Sequence, residues 1–564
     1  MLNPKQIALV IILCLLSACT HLKTLPDPVP DNLPQPQRYY STFVQGVENH
    51  PISITVYQPA LNALESAPLV IQLHAFAIAG TKSPHSLSAK FMYSSKTALN
   101  LWKQGYWVIS VDIRGHGKSG GTINLADPKQ EVKDISKIID WAEQNLPRLT
   151  KTPQQHAAVG LIGDSYGSGI SLLASSFDAR IKAIVSATGW YDLNQSLAPN
   201  GVPKIGWLKT PVLTGHFFNP GKLSPLIDQF YKDSVNARST AAYSPALIER
   251  SPRFYCENNR PPQANTLILQ GMRDILFDFN EGLALARCIE NGGKDAHLIG
   301  IQDGHLEPFT QWGSRYTFYH IEDTVHCGDT AFSTGDLAIE WFNQHIKQQA
   351  PTQRIPKLCV TLSNSTGKTL NEFPRPNQTF EISSIKTRQN QVNVPAETLD
   401  YSGWLTPKGL VSYVGRPWSG TYKPLLIPLT VFSEQGTLLG TPSYDLSITE
   451  AYPNSASMGK HPRPKLFFGL GVIKNGKLTI INDQLSATYA PATIQGPKQT
   501  LAAQIDKGQT LYWVAFAYDH RRPLDNQWWT ENLHITGKIH LPLPENLTPK
   551  SVLSASGLER AVFD

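Results

Sequence analysis

The sequence carries little net charge, +6 over 564 residues, and no run of basic side chains. An excess that thin argues against nucleic acid as a partner. Cysteine is scarce, with six in all, and no two cysteines have the C-x-x-C spacing of a zinc site. No cysteine-bound metal is therefore expected. Beyond the first twenty residues no segment is apolar for long enough to cross a bilayer. What is present is an apolar content of 41% against 17% charged, enough for a sizeable core. The length suggests two or three domains, and 42 prolines with 40 glycines imply many turns and a large β component.

The first residues read as a processing signal. Lys5 precedes the apolar run Ile7–Leu16, which is short for a membrane span and ends in Ser17-Ala18-Cys19. "LSAC" resembles the lipobox of bacterial lipoproteins, in which the cysteine, here Cys19, is acylated and becomes the mature N-terminus. That resemblance implies membrane attachment through lipid on Cys19. Thr20 in place of an aspartate implies the outer membrane, facing the periplasm or the exterior. Cys256, Cys288, Cys327 and Cys359 remain, and an exported chain keeps disulfides. Four cysteines allow three connectivities. Cys327–Cys359 is the preferred pair, as a staple between the end of one domain and the start of the next.

Residues 20–38 contain "LPDPVPDNLPQPQ", an extended tether. From 39 to 350 strand and helix patterns alternate. "PLVIQLHAF", "YWVISVDIRGHG", "AAVGLIG", "KAIVSATG", "NTLILQGMRD" and "AHLIGIQDGH" are strands, and "KQEVKDISKIIDWAEQNL" and "TGDLAIEWFNQHI" are helices. Alternation of this kind predicts an α/β fold with a doubly wound, mostly parallel sheet. It breaks at about 190–264, a long aromatic-rich insertion expected to form a lid. From 351 to 564 short strands and turns predict an all-β sandwich, with Asn475-Gly476 as a hairpin turn.

The chemistry centres on "GDSYGSG". A strand leads in, a helix leads out, and Gly163 and Gly167 flank Ser165. That is the pattern of a nucleophile elbow, which holds a serine on a strained turn at the carboxyl edge of a sheet. A serine needs a base, and the base an orienting acid, which follow in that fold in the order acid then histidine. Asp274 stands just after one strand and His305 just after the next. Asp278 and Asp192 are the rival acids; His297, His320 and His326 are the rival bases. One oxyanion-hole donor is expected from the Tyr166 N–H and the second from Phe76, with Ala75 as its rival. His74 is expected to order that loop. Trp190, Tyr191, Trp207, Phe217 and Phe218 of the insertion could wall a substrate pocket. "VDIRGHGKSGG" ends like a phosphate loop, but Asp112 stands where Walker A needs a glycine. Nucleotide binding is therefore excluded, no cofactor is expected, and Asp112 and Arg114 are assigned to fixing that loop.

Taken together, "VDIRGHGKSGG", "GDSYGSG", "GMRDILF" and "DGH", followed by a β domain, resemble the X-Pro dipeptidyl-peptidase and cocaine-esterase group of α/β-hydrolases. A tyrosine after the serine is typical of that group. The resemblance implies a Ser165–Asp274–His305 triad, an inserted helical lid, and hydrolysis of esters or amides through an acyl-enzyme. Relatives often carry a Pro-Tyr pair in the loop that here reads "HAFAIAG", so a tyrosine side-chain donor is not expected. The larger dipeptidyl-peptidases also have an N-terminal helical domain not seen here, which tilts the expectation towards an esterase, acylase or broader peptidase. The competing expectation is a non-catalytic surface lipoprotein that binds a polymer or partner through its β domain.

Overall fold

The computed structural model describes residues 25–27, 29–235, 238–305, 324–387, 425–450, 465–474, 477–516, 533–544 and 562–563. Cys19 and His320 lie outside the described residues, as does the Asn475-Gly476 turn. Among the described residues no helix is long and apolar enough to cross a membrane.

The first half of the chain supplies strands β1 (Arg38–Gln45), β2 (Pro51–Gln58), β3 (Leu69–Leu73), β4 (Trp107–Val111), β5 (Val159–Asp164), β6 (Ile181–Ala187), β7 (Asn265–Gly271) and β8 (Ala296–Ile301). A small hairpin follows, β9 (Thr324–Cys327) with β10 (Thr330–Ser333), and then β11 (Leu358–Thr361) and β12 (Gly367–Thr369). All but the hairpin form one ten-stranded sheet in the order β1-β2-β4-β3-β5-β6-β7-β8-β11-β12. The run from β4 to β11 is parallel throughout. Its central strands are buried end to end because helices cover both faces, which is why they read as continuous apolar runs. Between β6 and β7 the insertion folds into five short helices, the longest being Ile205–Phe218.

The sheet runs further than the sequence pattern implied. The boundary expected at residue 350 falls later, because β11 pairs in parallel with β8. A four-residue strand inside turn-rich sequence carries no local mark of the sheet it joins. Cys327–Cys359 does form, with Cys256–Cys288 as the second bridge. Since Cys359 lies in β11, that bridge staples the hairpin to the hydrolase sheet rather than joining two domains. The tether also ends early. Gln35 is buried and exchanges backbone hydrogen bonds with Leu61, because a buried backbone needs partners.

The second half supplies β13 (Gln378–Thr387), β14 (Leu425–Val431), β15 (Gly436–Gly440), β16 (Ser443–Glu450), β17 (Lys465–Lys474), β18 (Lys477–Tyr489), β19 (Ala492–Pro497), β20 (Leu501–Ile505), β21 (Thr510–Phe516), β22 (Leu533–Leu541) and β23 (Val562–Phe563). An antiparallel sheet β13-β22-β16-β19 faces a second sheet, β14-β21-β17-β18-β23. Leu446, Phe468, Trp513 and Ile539 pack in the common core between them. This is the expected sandwich, held by alternating inward side chains.

Candidate active site

Ser165 sits where β5 ends and the helix Tyr166–Ser175 begins, at φ 51° and ψ −107°. A non-glycine residue with that backbone is strained, and the surroundings must hold it there. They do so through glycine. A Cβ on Gly163 would lie 2.3 Å from the Gly167 carbonyl carbon, and one on Gly167 would lie 2.3 Å from the Leu73 carbonyl oxygen. The turn is therefore closed by backbone packed on backbone, with the Ser165 N–H donating to the Ala187 carbonyl at 2.8 Å. Asp164, on the other side of the sheet, accepts hydrogen bonds from the Ser94 N–H and hydroxyl.

The two later loops bring their side chains to the serine. The Ser165 Oγ lies 2.9 Å from His305 Nε2, and His305 Nδ1 lies 2.7 Å from Asp274 Oδ2. Asp274 is fully buried, and its Oδ1 accepts the N–H groups of Leu276 and Phe277 at 2.9 and 2.8 Å. The carboxylate is thus held by backbone on one oxygen and by the imidazole on the other. With Nδ1–H donated to the acid, Nε2 accepts from the serine hydroxyl, the arrangement a general base needs.

The rivals have other work. Asp278 caps the helix Phe279–Asn291, accepting the Asn280 N–H. Asp192 caps the helix Leu193–Leu197 and pairs with Arg253 at 2.8 Å. His297 pairs with Asp295 and packs on Trp341, while His326 lies in β9. His74 orders its loop: Nδ1–H donates to the Ala75 carbonyl and Nε2 accepts the Ile113 N–H. Burial pushes this imidazole down to about 4, so it is neutral. Asp112 accepts the Gly80 and Lys118 N–H groups and pairs with Lys82 at 2.6 Å. Arg114 grips Asp134 with two hydrogen bonds of 2.8 Å. Both residues act on the loop itself, as expected of a structural turn.

The Phe76 ring packs edge-on against the Tyr166 ring, 5.2 Å between centres, so both expected oxyanion residues border the serine. A cavity of about 80 Å³, open at its mouth, runs from Ser165 into the insertion. Its wall includes Trp190, Leu193, Leu197, Leu208, Val212, Phe230 and Phe277. Of the four expected aromatic residues whose side chains are described, Trp190 walls it and Tyr191, Phe217 and Phe218 do not. Tyr191 is half-buried outside it, and Phe217 and Phe218 pack edge-on against each other at the surface, 55% and 49% exposed. The helix Ile205–Phe218 turns Leu208, Val212 and Gly215 inward at helical spacing, which points 217 and 218 outward. The Trp207 side chain lies outside the described residues.

Sequence reasoning missed Glu131. It is buried in the first turn of the helix Glu131–Asn145, where it accepts from the Tyr166 hydroxyl at 3.0 Å and from the Asp127 and Asn124 N–H groups. Burial pushes its carboxyl up to about 7 against those three hydrogen bonds. The Tyr166 hydroxyl also accepts the Ala126 N–H at 2.9 Å. The signal available was the need of a buried tyrosine beside the nucleophile for a polar partner.

Residues 49–306, somewhat less than half of the chain, match the family model described as X-Pro dipeptidyl-peptidase (S15 family). A CocE/NonD family hydrolase from Staphylococcus aureus has the same overall architecture, with TM-score 0.55 and 11% identity, covering 90% of this chain and 94% of that one. An aminopeptidase from a marine sediment Thaumarchaeota archaeon gives 0.59 at 12% identity, covering 93% and 99%. An α-amino acid ester hydrolase gives 0.54 at 12%, covering 93% and 98%. Identities this low show the fold alone. In sequence the chain is 33% identical over 88 residues to an uncharacterized 31.7 kDa protein in the traX-finO intergenic region of Escherichia coli. That stretch is 16% of this chain and spans 29% of the relative's length.

Proposed function

We propose that the protein is a serine hydrolase that cleaves esters with an apolar acyl group through an acyl-enzyme. The observation that carries this reading is the continuous hydrogen-bonded line Asp274–His305–Ser165 at the mouth of a carbon-walled cavity. In the reaction His305 Nε2 takes the Ser165 proton as Oγ attacks the acyl carbon. Asp274 orients the ring and supports the imidazolium that results. The developing oxyanion is met by the Tyr166 N–H and the Phe76 N–H. The leaving alcohol takes the proton from His305. Water then adds to the acyl carbon as the same nitrogen takes its proton, and the nitrogen returns that proton to Ser165 Oγ as the acid leaves.

The cavity selects the substrate. Among the described residues that wall it, the only polar side-chain atoms are the hydroxyls of Ser165, Tyr166 and Tyr243 and the Trp190 N–H, and none of those residues is charged. A peptidase that anchors a free α-amine needs a carboxylate within reach, because a buried ammonium without a partner is costly. Glu131 lies behind Tyr166, with its oxygens already engaged by three donors. The reading therefore favours esters of medium-length or aryl acids over dipeptidyl amides. The chain's place would be outside the cytoplasm, where its two disulfides persist.

A panel of p-nitrophenyl acetate, butyrate, octanoate and benzoate against X-Pro p-nitroanilides tests this. We expect kcat/KM on butyrate or benzoate to exceed that on any X-Pro amide by about a hundredfold or more. Preference for an X-Pro amide would contradict the substrate reading and leave the serine-hydrolase reading standing.

A further inference from the structure

Asp274 and His305 stand on loops that belong to the hydrolase sheet, yet these loops are gripped from the other domain. Strand β18 pairs with β17 in two stretches, Gly469↔Leu485 and Gly471↔Ile480, with a break between them. Four residues of β18 stand opposite Leu470 alone. Two of them, Asn482 and Asp483, have φ of 51° and 56°, the left-handed region that asparagine and aspartate tolerate best after glycine. Bulges of this kind re-aim side chains, and this one aims three consecutive polar groups at the catalytic loops.

Gln484 Nε2 donates to the carbonyls of Met272 and of Asp274 itself, at 3.0 and 2.9 Å, and the residue is buried. Asp483 accepts from Arg273 Nε at 2.6 Å. Asn482 donates to Gln302 Oε1 at 3.1 Å, three residues before His305, and clasps both backbone groups of Ala502 in β20. The acid and base loops also bond to each other, through Met272 N–H to Ile301 O at 2.7 Å and Arg273 N–H to Asp303 O at 3.3 Å. The root of the insertion rests on the same strand: Asn200 Nδ2 donates to the Ala487 carbonyl at 2.9 Å, and Val202 packs among Phe467, Leu485 and Ala487.

We propose that the β18 bulge Asn482–Asp483–Gln484 is a positioning element of the active site, by which the β domain fixes the Asp274 and His305 loops relative to Ser165. The proposal rests on the serine-hydrolase reading above. It gives the bulge a purpose: the bulge turns these polar side chains towards the hydrolase loops, where a regular strand would turn them elsewhere. Gln484 acts through the backbone of Asp274, so its loss leaves the acyl cavity intact and loosens the geometry of proton transfer. Small misplacements of catalytic groups cost rate rather than binding.

The test measures kcat and KM of the full chain on p-nitrophenyl butyrate for wild type, Gln484→Leu, Asp483→Asn and Ile539→Val. Ile539 lies in the far core of the sandwich and touches neither loop, so it serves as a variant that weakens the β domain alone. We expect kcat to fall about tenfold in Gln484→Leu and about threefold in Asp483→Asn, with KM within about twofold and Ile539→Val at the wild-type kcat. Asp483→Asn keeps a half-exposed hydrogen-bonding pair, so it reads the effect even if Gln484→Leu does not fold. Unchanged kcat in Asp483→Asn and in any folded Gln484→Leu would overturn the proposal, as would an equal loss in Ile539→Val. Failure of the wild type to react with a fluorophosphonate would instead overturn the hydrolase reading, and the proposal with it.

Discussion

Ser165 and the Asp274–His305 pair meet across 2.9 Å but are held by different means. The serine is fixed locally. Its turn is closed by Gly163 and Gly167 against their own strand and the end of β3, and nothing from beyond the hydrolase sheet is needed. The acid and base are fixed remotely, by side chains about 180 and 210 residues further along the chain. The difference teaches where robustness lies. A local device survives as long as the sheet does, whereas a remote one depends on two domains staying docked. It also locates the vulnerable half of the site: proton transfer should fail before the nucleophile is lost.

The largest effect expected from breaking this comparison is on the local side. Gly167→Ala puts a Cβ 2.3 Å from the Leu73 carbonyl oxygen, where backbone on both sides cannot yield. The cost should be about 3 kcal/mol or more, at the upper end of overpacked sites, because the clash is with backbone. Thermal unfolding should show a large drop in Tm or no folded protein. A Tm within a few degrees of wild type would mean that the turn is not closed as described. Gln484→Leu, on the remote side, should leave the fold standing and lower kcat about tenfold, which sharpens the contrast.

The smallest effect concerns Glu131, the anchor of Tyr166 on the serine side. Its carboxyl rises from an ordinary value of 4.5 to about 7 through burial. A carboxyl raised in the fold contributes stability that is complete below the ordinary value and is lost as pH climbs through the raised one. Glu131→Gln removes that loss but also removes one hydrogen-bond acceptor, which offsets Tm by a constant amount. The Tm of the variant minus that of the wild type should therefore become steadily more positive between about pH 5 and pH 8. A difference that stays flat, or moves the other way, would contradict the buried, raised carboxyl.

The same contrast decides what could be read from the sequence. The sheet, the elbow and the order serine, acid, histidine were legible because each is written in a short stretch: an apolar run, a glycine pair, a polar residue after a strand. Ser165, Asp274 and His305 were each found that way, and the structure brings them together. The cavity wall was misread because the insertion's aromatics were counted without the helical phase that turns Phe217 and Phe218 outward. Leu208 and Val212, which do face the cavity, look like any core positions. Glu131 and the β18 bulge were invisible for a different reason. Their partners are Tyr166, Asp274 and Gln302, and only the folded chain puts those residues beside them. The extension of the sheet to β11 was lost similarly, since strand pairing is not a property of four residues alone.

The central claim is that Ser165 is a nucleophile activated by His305, and it can be tested at one atom. The full chain is treated with a fluorophosphonate and digested, and the peptide containing Gly163–Gly167 is weighed, with Ser165→Ala and His305→Ala alongside. The account predicts a phosphonate adduct on Ser165 in the wild type, none in Ser165→Ala, and labelling slowed on the order of a thousandfold or more in His305→Ala. An unlabelled wild type, or an adduct on another residue, would contradict it.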